Sequence, residues 1–312
     1  MSGQVEFLRG EFRLIDWVRQ RSGPHPQVPV GIGDDAALLA PTPGEEVIVT
    51  TDMLMDGRHF IVGETPPEWI GRKALAVNLS DIAAMGGRPL AAFISWALPR
   101  NRGRDLAESL FAGMAQLARE FNVSIAGGDT NSWDGPLVIN VTLVGETIGQ
   151  RRILRSGGRP GDVILVTGPL GGSLAGRHLT FTPRVHEAIE LSQRVQINAM
   201  LDLSDGVASD LRHVLNQSQV GATLDANSIP IHPDVDRQLP HSEQLRKALT
   251  DGEDFELMLT VSPIEAEKLL ANPPQGYSLF RIGVIDAELG ARIKTERGIE
   301  PLPTGGWEHP LD

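Results

Sequence analysis

Cysteine is absent from the 312 residues, which excludes disulfides, thiolate metal centres, iron–sulfur clusters and cysteine nucleophiles together. Basic residues are scarce: 28 Lys and Arg stand against 40 Asp and Glu, for a net charge of −12. Most of such a surface repels a phosphate backbone, so nucleic acid is not an expected partner. No stretch approaches the roughly 18 consecutive apolar residues needed to span a bilayer. Segment 1–16 interrupts its apolar residues with Glu6, Arg9, Glu11 and Arg13, unlike the core of a signal peptide. Together with the missing cysteine this fits a reducing cytoplasm. The P-loop pattern GxxxxGK[ST], the HRD and DFG pair and HExxH are missing too, which removes the commonest kinase and zinc-hydrolase designs.

What is present is an ordinary globular composition, 41% hydrophobic and 22% charged, on a chain long enough for two domains at about 150 residues each. An acidic protein can still receive an anionic metabolite when divalent cations stand between its carboxylates and the ligand's phosphates. Apolar runs and helical-period segments alternate. Strands are expected at 28–32, 46–52, 90–98, 123–126 and 137–146, with helices at 67–85 and 104–121. The turn-rich RSGGRPGD at 155–162 marks a boundary between domains 1–150 and 151–312. Beyond it, strands are expected at 163–167, 222–225, 256–261 and 279–285, and helices at 184–193, 207–216, 242–249 and 263–270.

Aspartates gather at the expected ends of apolar segments, where loops leave a rigid scaffold. They are Asp34 and Asp35 in GIGDDAALL, Asp52 in VTTDML, Asp81 in NLSDIAAMGG, Asp129 in AGGDT, and Asp202 with Asp205 in LDLSDG; Glu253 and Asp254 in DGEDFEL precede a strand. Asp81 lies inside a helical segment, on the face of Ala74, Val77 and Asn78, where a lone charge is costly. It either caps a neighbouring loop or shares a cation with other acidic loops, with Asn78 as a neutral oxygen nearby. Thr50 and Thr51 add hydroxyls beside Asp52, and hard oxygen donors are what Mg²⁺ prefers. Gly127–Gly128 and the run GPLGGSLAG at 168–176 serve as turns or offer backbone N–H groups to an anion. Arg155 and Arg159 pair with a polyphosphate or are solvated surface residues. His59 is the histidine nearest these acidic loops and reads equally well as a turn or core residue.

Nine segments in order, GEFRLI (10–15), GIGDDAALL, VTTDMLMDGRHF, KALAVNLSDIAAMGG, AGGDT, RSGGRPGD, VTGPLGGSLAG, LDLSDGVASDL and DGEDFEL, resemble the blocks of the thiamine-monophosphate kinase family. This family sits in the superfamily typified by aminoimidazole ribonucleotide synthetase. The resemblance implies an N-terminal α/β domain, which binds ATP and Mg²⁺ and whose strands form a barrel-like dimer interface. It implies an α+β C-terminal domain that completes the active-site cleft. It further implies ATP-dependent, Mg²⁺-assisted phosphorylation of thiamine monophosphate to thiamine diphosphate by a cytoplasmic homodimer, the last step of that biosynthesis, without a general base. By the same resemblance, Asp35, Thr50, Thr51, Asp52, Asp81, Asp129, Asp202 and Asp205 hold metal. Gly128, Asp129, Arg155 and Ser204 bind ATP, and His59, Glu253 and Trp307 contact substrate; Trp307 otherwise packs the C-terminal tail.

Three positions depart from the family blocks: Asp251 replaces a glycine, Phe255 replaces a common Tyr, and NSWDG follows AGGDT where TRG is frequent. The missing cysteine disfavours the selenophosphate synthetase and hydrogenase-maturation branches. Another ATP-dependent enzyme of the superfamily or a metal-dependent phosphohydrolase remains as an alternative.

Overall fold

Period-two alternation in VIVTTDMLM makes strand β1 (Val47–Met55), whose Ile48, Thr50, Asp52 and Leu54 turn inward while Val47, Val49, Thr51, Met53 and Met55 are exposed. The computed structural model to which β1 belongs describes residues 11–274 and 277–307. The N-terminal residues before Glu11, including Gly10 of GEFRLI, and the residues after Trp307 lie outside it.

The chain divides into two units, one of residues 1–82 and 88–150, the other of residues 83–87 and 151–312. The first opens with α1 (Glu11–Arg19). Its sheet runs β1–β4–β2–β3, with β2 (Arg88–Pro99) parallel to β3 (Ser124–Trp133) and β4 (Val138–Glu146) antiparallel to both of its neighbours. A parallel pair needs a crossover, and it is α3 (Gly103–Glu120), burying Leu106, Leu110, Phe111, Met114 and Leu117 at helical spacing. Helix α2 (Pro67–Ala84) starts with proline in its first turn, where the missing N–H costs nothing. It crosses α3 backbone to backbone: a Cβ on Gly71 would lie 1.9 Å from the Leu110 carbonyl oxygen, and one on Gly113 1.9 Å from that of Glu68.

Residues 28–32 do not form the expected strand. Only isolated bridges occur there, Val28 with His25, Val30 with Leu38 and Ile32 with Asp34, because Pro29 cannot donate to a ladder and Gly31 and Gly33 loosen the backbone. The apolar side chains still pack, with Val28 buried against Leu90, Ala91 and Ala126.

The second unit is one seven-stranded sheet, β11–β10–β7–β9–β5–β8–β6. Its strands are β5 (Val163–Val166), β6 (Ile197–Asp202), β7 (Gly221–Asp225), β8 (Leu257–Val261), β9 (Phe280–Asp286), β10 (Gly290–Thr295) and β11 (Gly298–Pro301). Helices α4 (Val185–Arg194), α5 (Val207–Ser218), α6 (His241–Thr250) and α7 (Pro263–Ala271) pack around it. Leu211, Val214 and Leu215 of α5 join Leu201, Leu224, Met258 and Ile282 in one core. Strands β6, β10 and β11 and helix α1 are additions to the sequence-based expectation. No helix of the described residues is long and apolar enough to cross a membrane.

Candidate active site

The pleat of β1 divides VTTDML between the two faces of the first unit's sheet. On the inward face Thr50 donates a short hydrogen bond to Asp81 of α2. Asp52 is pushed up to about 7, first by burial and then by the charge of Asp81. Its Oδ2 is buried with no hydrogen-bond partner. Asn78 is fully buried one turn before Asp81; its amide donates to the Ala74 carbonyl at 3.1 Å, and its Oδ1 is a second buried oxygen without a partner. Two carboxyl groups, a hydroxyl and orphaned oxygens make a hard donor set of the kind Mg²⁺ takes, usually through one or two carboxylates with waters and phosphates completing the shell.

Thr51 faces the other way, its hydroxyl 3.0 Å from that of Thr142. The register carries this division across the sheet: Asp52 opposes Val141, Val141 opposes Ile94, and Ile94 opposes Gly128. Asp129, the next residue on β3, therefore points to the face opposite Asp52 and from the opposite edge. It accepts a hydrogen bond from Asn131 at 2.9 Å, so the NSWDG departure acts directly on this carboxylate. Asp129 lines a cavity of about 680 Å³ together with Asp34, Asp35, Phe93 and Gly128. The candidate carboxylates of this unit thus form two groups, Asp52 with Asp81 and Asp34–Asp35 with Asp129. Among the described residues no three His, Asp or Glu side chains converge in a metal-ligating arrangement.

One sequence-based expectation is corrected here. Asp52 and Asp129 lie within strands rather than at strand ends, since β1 and β3 run on to Met55 and Trp133. Gly128, at φ +146, has a packing reason to be glycine, since a Cβ would sit 1.8 Å from the Ile94 carbonyl oxygen.

His59 follows β1 in a tight turn. Its Nδ1 accepts the Met55 N–H at 3.0 Å, so the neutral ring carries its proton on Nε2. Lys73, fully buried on α2, donates to the His59 carbonyl at 3.1 Å and fixes the turn.

In the second unit the loop between β6 and α5 gathers motifs that lie far apart in sequence. The Ser204 carbonyl accepts the Glu253 N–H at 2.7 Å, and the Asp205 carbonyl accepts that of Trp307 at 3.2 Å. Asp202 is buried on β6. Asp210, not singled out from sequence, is buried beside both: its carboxylate accepts the Asp205 N–H at 3.1 Å. Burial, followed by the charges of Asp205 and Asp202, pushes it up to about 8. The signal was available as the third acidic residue of LDLSDGVASDL. Arg155 is exposed, and its carbonyl contacts Ser218 at the far end of α5 from Asp205.

The glycine run at 168–176 is already occupied by the protein's own anions. Gly171 N–H donates to both oxygens of Asp254, at 3.0 and 2.9 Å, and Gly172 N–H to Asp251 at 3.1 Å. Its role as a phosphate cradle is therefore replaced by a role in holding the 251–255 loop.

Residues 33–147 match the model of the AIR synthase related protein N-terminal domain, and residues 159–295 that of the corresponding C-terminal domain. Thiamine-monophosphate kinase from Rhodopirellula baltica is 38% identical over 95% of this chain and 96% of its own. Among solved structures, thiamine-monophosphate kinase from Stenotrophomonas maltophilia K279a superposes with a TM-score of 0.80 at 35% identity, covering 91% of this chain and 96% of that one. AaThiL complexed with AMPPCP and TMP superposes with a TM-score of 0.75 at 28% identity, covering 96% and 97%. Fold, motif order and similarity along nearly the whole length agree: the chain belongs to the thiamine-monophosphate kinase family, built from the two AIR synthase related domains.

Proposed function

We propose that this chain transfers the γ-phosphoryl group of ATP to thiamine monophosphate, giving thiamine diphosphate and ADP in the last step of thiamine diphosphate biosynthesis. The observation that carries the reading is the buried Asp52 oxygen without a partner, set beside Asp81 and Thr50. Such a group is costly unless a cation completes it. Family membership supports the choice of substrates, since a relative was solved with AMPPCP and TMP.

The chemistry asks little of proton transfer. A phosphate-monoester acceptor is already largely deprotonated at neutral pH, with a second pKa near ~6, so no side chain has to serve as general base. Positioning and charge are the difficulty, because two polyanions must meet in line. In the proposal, Asp35, Thr50, Thr51, Asp52, Asp81, Asp129, Asp202 and Asp205 hold Mg²⁺, with Asn78 as a neutral oxygen. The ions, when bound, supply the positive charge that lets the phosphates approach. Gly128, Asp129, Arg155 and Ser204 orient ATP. His59 offers an Nε2–H donor to a substrate anion, Glu253 a carboxylate acceptor, and Trp307 a ring for stacking on the thiazolium or aminopyrimidine.

The exposed apolar side chains of β1, with Val49 62% and Met53 56% accessible, support a homodimer in which this face packs against a second copy in a barrel-like arrangement. Thr51 shares that face of β1 and Asp129 the same side of the sheet, so both would act at the subunit interface. A cytoplasmic setting, where ATP and Mg²⁺ are plentiful, suits the reaction. Purified protein incubated with ATP, MgCl₂ and thiamine monophosphate is expected to form thiamine diphosphate and ADP in equal amounts. ATP loss without thiamine diphosphate would replace the kinase reading with a phosphohydrolase.

A further inference from the structure

Two loops of the second unit are locked together by more bonds than their lengths require. Glu253 and Phe255 both adopt left-handed backbone, with φ of +52 and +53, a conformation that costs a non-glycine residue and persists only when its surroundings over-determine it. The surroundings are the loop at 168–181. Asp254, almost wholly buried, accepts two bonds from Gly171 N–H and a third, at 2.9 Å, from Arg177 Nη2. Ser173 Oγ donates to the Gly252 carbonyl at 2.6 Å. Phe255 stacks on Phe181 with ring centroids 4.2 Å apart and an interplanar angle of 12°. Arg177 is held in turn by Asp234 at 3.2 Å.

The next residue after Arg177, His178, reaches the neighbouring carboxylate: its Nδ1 lies 2.8 Å from Glu253 Oε2. The consecutive pair Arg177–His178 thus addresses the consecutive pair Asp254–Glu253. Arg177 fixes the backbone of the loop through Asp254, and His178 fixes the orientation of the Glu253 side chain.

We infer that His178 is a positioning residue for substrate recognition, setting the Glu253 carboxylate at the angle at which it accepts from the aminopyrimidine amino group of the acceptor substrate. This rests on the reading of Glu253 as a substrate contact given above. It deepens that reading by naming the group that makes one carboxylate orientation dominant before substrate arrives. Pre-orientation of this kind lowers the ordering cost of binding. It separates binding of the acceptor, which depends on it, from binding of ATP, which does not.

The test uses the full chain as His178→Ala, His178→Gln, Glu253→Gln and the double variant His178→Ala/Glu253→Gln. Thiamine monophosphate binding without ATP is measured by calorimetry, and KM for each substrate by steady-state assay. His178→Ala is expected to weaken thiamine monophosphate binding roughly tenfold, the scale of one hydrogen bond to a charged group, with KM for ATP moving less than about twofold. His178→Gln, which keeps a donor, should recover part of the loss. In the Glu253→Gln background, His178→Ala should add nothing. If Glu253→Gln weakens binding but His178→Ala does not, or if the two losses add, the inference is overturned while the role of Glu253 stands. If Glu253→Gln itself leaves binding unchanged, the substrate-contact reading falls and the inference with it. Thermal midpoints of all four variants identify any loss caused by unfolding.

Discussion

Asp52 on β1 and Asp81 on α2 lie close enough that the charge of Asp81 adds to burial in lifting Asp52 to about 7. Without a cation this pair is a standing cost to the fold. Asp52→Asn is therefore expected to raise the thermal midpoint in chelator by a few degrees, ~3 °C, through removal of a buried charge. Millimolar Mg²⁺ should raise the wild-type midpoint and leave that of the variant where it was. Phosphoryl transfer should drop by at least ~100-fold. Scanning calorimetry with and without Mg²⁺, beside the kinase assay, checks all three, and an unchanged turnover would remove Asp52 from the metal set.

The outward face of β1 gives a second expectation. Val49→Asp puts a charge into an exposed, mainly apolar row, and like-charge copies facing one another cost several kcal/mol. Light scattering should report a dimer for the wild type and a monomer for the variant. A wild-type monomer at micromolar concentration would sink the homodimer.

His25 supplies the pH dependence. It is buried beside Asn122, and desolvation holds its pKa below the ordinary 6.5. As pH falls through 6.5 the unfolded chain takes up the proton first, so the unfolded state binds more protons and stability declines on acidification. The loss grows between about pH 6.5 and the lowered folded value, at no more than about 1.4 kcal/mol per pH unit. His25→Gln, which retains an amide for Asn122, should flatten the urea-denaturation profile between about pH 7.5 and 5.5. A parallel profile for the two proteins would refute the assignment.

Asp251 accepts from Gly172 N–H at 3.1 Å and from Lys247 Nζ at 3.4 Å. Asp251→Gly is expected to lower stability by about 1 to 2 kcal/mol, one hydrogen bond plus the entropy of a glycine. Equilibrium unfolding measures this directly, and a stabilised variant would contradict it.

Trp307 is held by its backbone at Asp205, and its side chain is 47% exposed. Trp307→Ala should raise KM for thiamine monophosphate about fivefold to tenfold, the scale of a stacking or cation–π contact, and spare that for ATP. Equal changes in both would return Trp307 to a packing role.

Most regular elements were legible because their periodicity is strong: α2, α3, β4 and β8 show in the spacing of their apolar residues. Residues 28–32 misled because an apolar run reads as a strand whether or not Pro29 and Gly31 let it pair. The candidate metal-holding carboxylates were legible as residue types, and their grouping was not. Which of Thr50 and Thr51 meets Asp81 depends on the side of the pleat, and which of Asp52 and Asp129 share a face depends on register across four strands. His178 escaped because its partner lies 75 residues away, joined to it only by the pairing of two loops.

The division of β1 into an acid-bearing face and a mainly apolar face makes the strand intolerant of altered length. One residue inserted or deleted ahead of Thr50 would carry Met53 or Thr51 inward and turn Asp52 out toward the proposed partner copy. Both the Asp52–Asp81 pairing and the proposed subunit contact would fail in one step. Relatives that keep this chemistry should therefore hold constant the number of residues from Val47 to the His59 turn.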